Sequence, residues 1–396
     1  MAEQAAIPYA GSTVIGLEAA HFAAIQRTVR VLFSLARSPG YQASLADSAD
    51  PVTEHEPGNF GVFMGYDFHV TPAGPRLIEV NTNAGGALLN GLHTASLCDP
   101  QKLACMCCDL LSVNDLEREI VDTFRAEYEA ATGRPGAELA RIAIVDDAPA
   151  QQFLALEFEL FRRLFASAGI EARIADTREL LRAPGGGVAL GGFRPQLVYL
   201  RDTDFALASE RATALRAAYL AREVVVTPSP REHFLLADKR RLACFSSRER
   251  LIALGVADDD ARFLSEVIPE TRLLAELDAE SAWRERASWV FKPAAAFGSR
   301  AVYRGDKISR KKFAEIAPEV GYVAQRNAPP GLVHVETSEG PREMKFDVRA
   351  YAYRERVLLL GARVYEGQVT NLRSPGGGFS AICVVRPASP LRAPLA

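Results

Sequence analysis

Residues 63–82, FMGYDFHVTPAGPRLIEVNT, constrain the chain more than any other stretch. Polar and apolar residues alternate on both sides of a turn-rich T-P-A-G-P at 71–75, which predicts a β-hairpin. Strand side chains alternate sides, so Met64, Tyr66, Phe68, Val70, Ile78 and Val80 share an apolar face. Asp67, His69, Glu79 and Asn81 share the other face. With the turn centred on Ala73, Asp67 opposes Glu79 and Gly65 opposes Asn81, which leaves space beside the amide. Two carboxylates paired across a hairpin repel each other. A hard divalent cation removes that conflict, because Mg²⁺ takes carboxylate, amide and phosphate oxygens together. For this stretch alone the alternative is an ordinary half-exposed hairpin with its polar side in water.

At 396 residues the chain is long enough for two or three domains with cores of their own. A net charge of −3 gives no basic excess, which argues against a nucleic-acid partner. No apolar run is long enough to span a bilayer, and the N-terminal MAEQAAIPYAG lacks a basic n-region with an apolar core. The expectation is a cytoplasmic protein without a membrane partner. Cys98, Cys105, Cys107 and Cys108 lie in or near the helical-looking LACMCCDLL. No second Cys/His pair at zinc spacing follows them, so they read as buried thiols, with a soft-metal site as the alternative. Cys244 and Cys383 stand isolated.

Helical spacing of apolar residues predicts a helix over 17–37, followed by a turn-rich loop over 39–60. After the hairpin, NTNAGGALLNGLH carries paired glycines that allow close approach to a ligand or make a turn. Residues 99–133 read as helix interrupted near Ser112. From 140, ARIAIVDD, QQFLALEFELFRRLFASAG and IEARIAD alternate strand, helix and strand. PQLVYLRDTDF and EVVVTPSP add two more strands, which argues a parallel sheet. No G-x-G-x-x-G follows the first strand, so the dinucleotide fingerprint is missing. EHFLLADKRRLACFSSRERLIALG reads as helical and carries Lys239. Residues 288–305 form strand, small-residue loop and strand; SRKKFAEIAPEVG is helical and YVAQRNAPP a strand. Strands at 344–353 and 356–365, a glycine-rich loop and a last strand precede a loose proline-rich tail.

Several of these residues suit phosphate chemistry. Lys292 ends the strand WVFK as a point charge for phosphate oxygens, and the loop from Ala294 to Ser299 offers free N–H groups; an ordinary surface hairpin is the alternative. Asp347 and Arg349 face one side of a strand, with Arg363 on the next. Together with Asn371 and Gly376-Gly377-Gly378 the arginines make an anion cradle; strand-surface salt bridges are the alternative. Three consecutive glycines point to a close approach.

With these motifs in hand, residues 60–380 resemble the ATP-grasp superfamily, in the style of its glutathione synthetase and D-alanine–D-alanine ligase branches. IEVNTNAGG resembles the E-x-N metal motif, with Asp67 as the preceding metal carboxylate beside Glu79 and Asn81. Lys239 in LADKRRL and Lys292 in VFKP resemble the two ATP lysines, and AAFGSR, with Gly298 and Ser299, resembles the lid loop. YVAQRNAPP resembles the hinge beside adenine, with Gln325 at its strand end. FDVRAYAY and GARVYEGQVTNLRSPGGG resemble the catalytic core, which carries Asp347 toward the nucleotide and Arg349, Arg363 and Asn371 toward phosphate and substrate.

The metal hairpin comes first instead of last, so the pattern resembles a circularly permuted member, as in glutathione synthetases of eukaryotic type. The resemblance implies a mixed α/β and α+β chain, a circularly permuted ATP-grasp fold with a Rossmann-like pre-ATP-grasp domain. Its parts would be an N-terminal core segment at 1–135, the Rossmann-like domain at 136–245, a lid at 246–325 and the rest of the core at 326–396. It implies ATP and Mg²⁺ as cofactors, two ions of the metal, with Mn²⁺ able to substitute. The implied reaction activates a carboxylate as an acylphosphate and joins it to an amine or thiol, with amino acids or peptides as the family's substrates. A small-molecule kinase and a non-catalytic nucleotide-binding protein are the rival readings. The oligomeric state stays open, a homodimer included.

Overall fold

The computed structural model describes residues 9–97, 113–294, 301–319, 321–337, 340–368, 370–372 and 374–385. Its main sheet draws strands from both ends of the chain. The early ones are β1 (Tyr9–Glu18), β2 (Met64–Thr71) and β3 (Gly74–Asn81). The middle of the chain builds a parallel sheet from β4 (Arg141–Asp146) and β5 (Glu171–Asp176), then β8 (Leu197–Leu200) and β9 (Val225–Thr227). A small ribbon of β6 (Leu181–Arg182) and β7 (Val188–Ala189) interrupts that run. An antiparallel sheet follows, from β10 (Thr271–Leu273), β11 (Trp289–Pro293), β12 (Tyr303–Arg304) and β13 (Tyr322–Arg326). The chain then returns to the main sheet with β14 (Gly331–Thr337), β15 (Gly340–Tyr353), β16 (Arg356–Tyr365) and β17 (Gly378–Val385). The main sheet runs β1-β17-β16-β15-β2-β3, with β14 also on β15.

One face of this sheet is apolar. Tyr66, Phe68, Val348, Ala350, Ala362 and Val364 pack in one core with the helix Ala19–Ala36. That helix buries Ile25, Val29, Leu32 and Ala36, the stripe that a 3.6-residue period brings together. The helix starts at Ala19, two residues later than the expected 17, and is preceded by β1, which the sequence reading missed. β1 is held by parallel pairing with β17, Ile15 opposite Ile382 and Leu17 opposite Val384.

The parallel sheet, in order β5-β4-β8-β9, is covered on both faces, as parallel sheets require. Ile142, Ile144, Leu197 and Tyr199 join the aromatic cluster of Phe124, Phe161 and Phe165, while Ala143, Val145, Val198 and Leu200 face Leu215 and Ala218. Alternate residues of each strand thus feed two cores, which is why these strands read as unbroken apolar runs.

Three local expectations are corrected. The loop over 39–60 contains short helices at Pro39–Ala43 and Pro51–Glu54, capped by Ser38 and Asp50. The stretch around Lys239 is several short pieces instead of one helix, because Asp238 leaves helical backbone (φ −60°, ψ 119°) and its carboxylate takes Arg240. Cys383 is disulfide-bonded rather than isolated, whereas Cys244 is a free thiol. Residues 98–112, with their four cysteines, lie outside the described residues, and so does that end of the expected 99–133 helix; its described part is Val113–Thr132.

Two buried glutamates tie distant parts of the chain together. Glu127 accepts from Asn59 Nδ2 (2.7 Å), the N–H groups of Phe60 (2.8 Å) and Gly61 (2.9 Å), and Thr227 Oγ1 (2.6 Å). Glu232 is 1% exposed and is paired with Arg37. Burial pushes the Glu232 carboxyl up to about 7, against the opposing pull of Arg37. The unfolded chain releases this proton at an ordinary carboxyl pKa. Stability from this group is therefore fully present below that pKa and is lost as pH rises through about 7. Glu232→Gln is expected to flatten that decline. Denaturant unfolding at pH 5 and pH 7.5 checks it, and an unchanged slope would remove Glu232 as its source.

Candidate functional site

The polar face of the main sheet is a row of charges set by strand register. Glu79 pairs with Asp67 across the hairpin, and Asp67 pairs with Arg349 across β2 and β15. One step along, Asp347 pairs with Arg363 across β15 and β16. The predicted Asp67–Glu79 pairing holds, but a bulge follows it: Phe68 opposes Leu77, leaving Ile78 without a partner. Leu77 is therefore the buried apolar residue where Ile78 was expected.

Asp67 is fully buried and held by two arginines. Arg349 grips it through Nε to Oδ1 (2.6 Å) and Nη2 to Oδ2 (2.7 Å). Arg363 Nη2 donates to Oδ2 (2.8 Å) and Arg363 Nε to Asp347 Oδ1 (2.7 Å). Thr370 Oγ1 donates to Asp347 Oδ2 at 2.5 Å. Burial by itself would raise the Asp67 carboxyl; the two guanidiniums override it and hold it well below the usual carboxylate range.

The lysines reach this face from outside the main sheet, Lys292 from a strand and Lys239 from a turn. Lys292 ends β11, and its Nζ donates to Gln325 Oε1 (2.7 Å) and to the Ile78 carbonyl that the bulge exposes (3.0 Å). Gln325, on β13, is in turn held by donating to Thr271 Oγ1 (3.2 Å). Lys239 Nζ lies 4.0 Å from Glu79 Oε2. Burial pulls the Lys292 ammonium down to about 8, with Glu79 opposing and Lys239 reinforcing the shift. Glu79, Asp67, both lysines and both arginines thus surround one place. A surface cleft of about 480 Å³ beside β10 is lined by residues such as Arg248, Thr271 and Leu277, and by none of these charged groups.

Other expected residues have different partners. Asn371 donates to the Glu366 carbonyl (3.0 Å) and accepts from Ser374 Oγ (3.0 Å), so both ends of its amide hold its own loop. A Cβ on Gly377 would lie 2.5 Å from the Val364 carbonyl oxygen, so that glycine is needed for packing against the chain itself. Gly65 likewise makes room for Ala84, 2.7 Å from where its Cβ would be, instead of for a ligand. His69 Nδ1 hydrogen-bonds with the Ala328 carbonyl (2.6 Å), which leaves it a packing role. Gly298 and Ser299 lie outside the described residues.

The sequence reading missed a second polar cluster at the C-terminal ends of β4 and β8. There the strand order reverses, the position where open α/β sheets bind ligands. Asp146 ends β4, and Arg201 follows β8. Arg201 is 7% exposed; its Nη1 donates to Tyr199 Oη (3.1 Å), while its buried Nε has no partner. Burial pushes Asp146 up to about 6, with Arg201 opposing. Asn83 Nδ2 donates to the carbonyls of Arg201 (3.1 Å) and Asp202 (2.7 Å), and its buried Oδ1 has no partner. Asn83 lies two residues past Asn81, so this cluster adjoins the charged row. The glycines at 85–86 let the loop approach: a Cβ on Gly85 would lie 2.8 Å from Arg201 Nη2. His233 pins the same junction, stacked on Phe205 at 4.0 Å and sharing a 3.0 Å hydrogen bond with Thr82. The readable signal was the polar pair ending each strand, D-D at 146–147 and R-D at 201–202.

For a divalent cation the fit is partial. Asn81 Nδ2 donates both to Asp67 Oδ2 (3.0 Å) and to Glu79 Oε1 (3.2 Å), so a donor already stands between the two acids. The same amide turned over presents oxygen there. Glu79, the exposed acid of the pair, and Asn81 in that orientation therefore fit a metal, whereas Asp67 is buried and already paired with Arg349 and Arg363. Among the described residues no group of three His, Cys, Asp or Glu is placed to hold one.

No family model matches the sequence, and no curated protein matches it. Among solved structures, the chain is similar to a glutathione synthetase-like effector of Globodera pallida in its apo form. The TM-score is 0.59 at 13% identity, covering 93% of this chain and 88% of the other. A candidate gamma-glutamylcysteine synthetase of Methylobacillus flagellatus KT follows, with a TM-score of 0.49, 12% identity and coverage of 91% and 87%. The ATP-grasp ligase PsnB, complexed with Mg and ADP, aligns with a TM-score of 0.28 at 19% identity, over 55% of this chain and 87% of its own. The chain has the ATP-grasp fold. Within that class its form is glutathione synthetase-like.

Proposed function

We propose that this chain is an ATP-dependent ligase that activates a carboxylate as an acylphosphate and joins it to an amine or thiol. The observation that carries the reading is the meeting of Glu79, Lys239 and Lys292, from three separate parts of the chain, in front of Arg349 and Arg363. Five charged groups around one place suit a polyphosphate far better than an apolar ligand.

Lys239 and Lys292 neutralise phosphate oxygens of ATP. Glu79 and Asn81 would hold a Mg²⁺ ion, which when bound would neutralise phosphate charge. The substrate carboxylate attacks the γ-phosphorus, a P–O bond forms, and ADP leaves. The amine or thiol then attacks the acyl carbon; phosphate departs and the nucleophile's proton passes to solvent. Arg349 and Arg363 have N–H groups left over from their bonds to Asp67 and Asp347, able to stabilise the charge that develops. Arg201, with an unmet Nε–H in the adjoining crevice, is suited to hold a substrate carboxylate.

The circular permutation belongs to the same reading, supported by an early hairpin that shares its sheet with β14–β17. Residues 1–135 and 326–396 would form the core, 136–245 a Rossmann-like domain and 246–325 the lid. No described helix is long and apolar enough to cross a membrane; a cytoplasmic place of action, where ATP is supplied, completes the reading.

The test is a screen of amino acids, polyamines and small carboxylates for ATP-dependent phosphate release, followed by mass spectrometry of the product. An amide or thioester supports the proposal, and a stable phosphorylated product would assign a kinase instead. With the substrate known, Arg201→Gln is expected to raise its KM by about 10–100-fold, the worth of a charge-assisted hydrogen bond, with ATP affinity unchanged. Equal KM values would remove Arg201 from the substrate pocket.

A further inference from the structure

We infer that His233 is a positioning residue for the nucleotide site: through Thr82 it fastens the turn that presents Lys239 to the end of the strand that presents Glu79. The inference rests on the nucleotide reading of this site and adds to it a residue whose bond lies outside the charged row.

The turn needs such support. His233–Ala237 is a π-helical turn, in which the Asp238 N–H donates to the His233 carbonyl at 3.0 Å, five residues back. Turns of this kind are rare and occur mostly singly, at functional sites. Asp238 then leaves helical backbone, and Lys239 follows it directly. The middle of the turn is fixed by packing and by its carbonyls. Phe234, Leu235 and Leu236 are buried in the core of the main sheet. Arg241 Nε donates to the Phe234 carbonyl (2.9 Å) and Tyr41 Oη to the Leu235 carbonyl (2.6 Å). The first residue is fixed by its side chain. His233 Nδ1 shares a hydrogen bond of 3.0 Å with Thr82 Oγ1, and its ring lies flat on Phe205, 4.0 Å between centroids and 7° between planes.

Thr82 directly follows Asn81, the last residue of β3, and is 2% exposed. The turn therefore meets the end of β3 twice, His233 on Thr82 and Lys239 opposite Glu79 at 4.0 Å. The ion pair is long and partly exposed on the Glu79 side, so it fixes little. Apolar packing is non-directional and leaves a turn free to slide. The Thr82–His233 bond is directional, so it sets how far along β3 the Lys239 ammonium stands. Phe205, on the loop that begins with Arg201, covers one face of the ring and keeps it in the plane the bond requires.

The test is ADP affinity by calorimetry, beside thermal unfolding, for Thr82→Val, His233→Phe, the two together and His233→Asn. Phenylalanine keeps a flat ring for Phe205 and valine keeps the branched shape of threonine, so each change removes the bond and little else. Expected is a loss of ADP affinity of roughly 3–10-fold in either single variant, the worth of one hydrogen bond, and the same loss, not its square, in the double variant. Either single change strands the other partner and lowers Tm, whereas the double change leaves neither group unpaired and recovers Tm. Affinity that stays low while Tm recovers marks positioning, because a residue that only supports the fold would return both. His233→Asn places an amide oxygen near the position of Nδ1 and is expected to bind ADP within about twofold of the unmodified chain. A double variant with full ADP affinity would overturn the inference, and so would single variants that lower Tm alone. If His233→Phe fails to fold, Thr82→Val and the double variant decide the matter. Failure of the unmodified chain to bind ADP would overturn the nucleotide reading and this inference together. ADP bound equally by the unmodified chain and every variant would sink this inference alone.

Discussion

Replacing Glu79 with glutamine is expected to end ATP-dependent phosphate release while leaving the fold intact. Glu79 is partly exposed, and its hydrogen-bonding partner is the Asn81 amide, which a glutamine oxygen can still accept. Lys239 at 4.0 Å is a long and partly solvated ion pair, so the structural loss should stay within about 1 kcal/mol. The functional loss is of another size. Glutamine removes the one solvent-exposed carboxylate of the row, and losing an electrostatic group of that kind costs on the order of 10²–10³-fold in rate. Phosphate release and Tm, measured on one preparation, separate the two effects. Undiminished release would withdraw Glu79 from the nucleotide site.

Lys292→Met is expected to weaken nucleotide binding by roughly a hundredfold, about what removing one close charge from a phosphate is worth at the edge of a protein. Methionine keeps most of the volume of the side chain. The Gln325 oxygen and the Ile78 carbonyl lose their donor, a cost of about 1–3 kcal/mol. That cost is offset by the fact that burial already disfavours the Lys292 ammonium, whose pKa stands at about 8. The same shift predicts a proton. Nucleotide phosphates favour the charged lysine, so binding above pH 8 draws a proton from solvent, and affinity declines as pH rises further. Calorimetry in two buffers of different ionisation enthalpy, at pH 8.5, should show uptake in the unmodified chain and none in Lys292→Met. Equal uptake in both would assign the proton to another group.

The parts of this molecule that could be read in advance are those governed by local periodicity. Asp67 and Glu79 face each other because a strand alternates and a short turn sets the register. The apolar runs at 142–145 and 197–200 predicted strands of a parallel sheet, and two cores meet them there. The bulge at Ile78 was not readable, since a one-residue slip leaves the composition of the hairpin unchanged, yet it exposes the carbonyl that seats Lys292. β1 was missed because Ile15 and Leu17 run directly into the apolar pattern of the following helix. The pairing that makes them a strand comes from β17 at the far end of the chain. Arg201 and the buried Glu157 carry no local mark of burial; the loop after Asn81 meets them only in the folded chain, Asn83 on the Arg201 carbonyl and the Gly86 N–H on the Glu157 carboxylate (2.8 Å).

By itself the sequence determined most of the longer strands and helices and which residue types could meet phosphate, because side-chain alternation and helical period act over a few residues. The tertiary structure alone decided what each charged group is bonded to. Asp67 looks in sequence like half of a repelling acid pair, and it becomes the centre of an ion network when arginines 282 and 296 positions later arrive beside it. Electrostatic partnership depends on distance and burial in space, and neither follows from order along the chain.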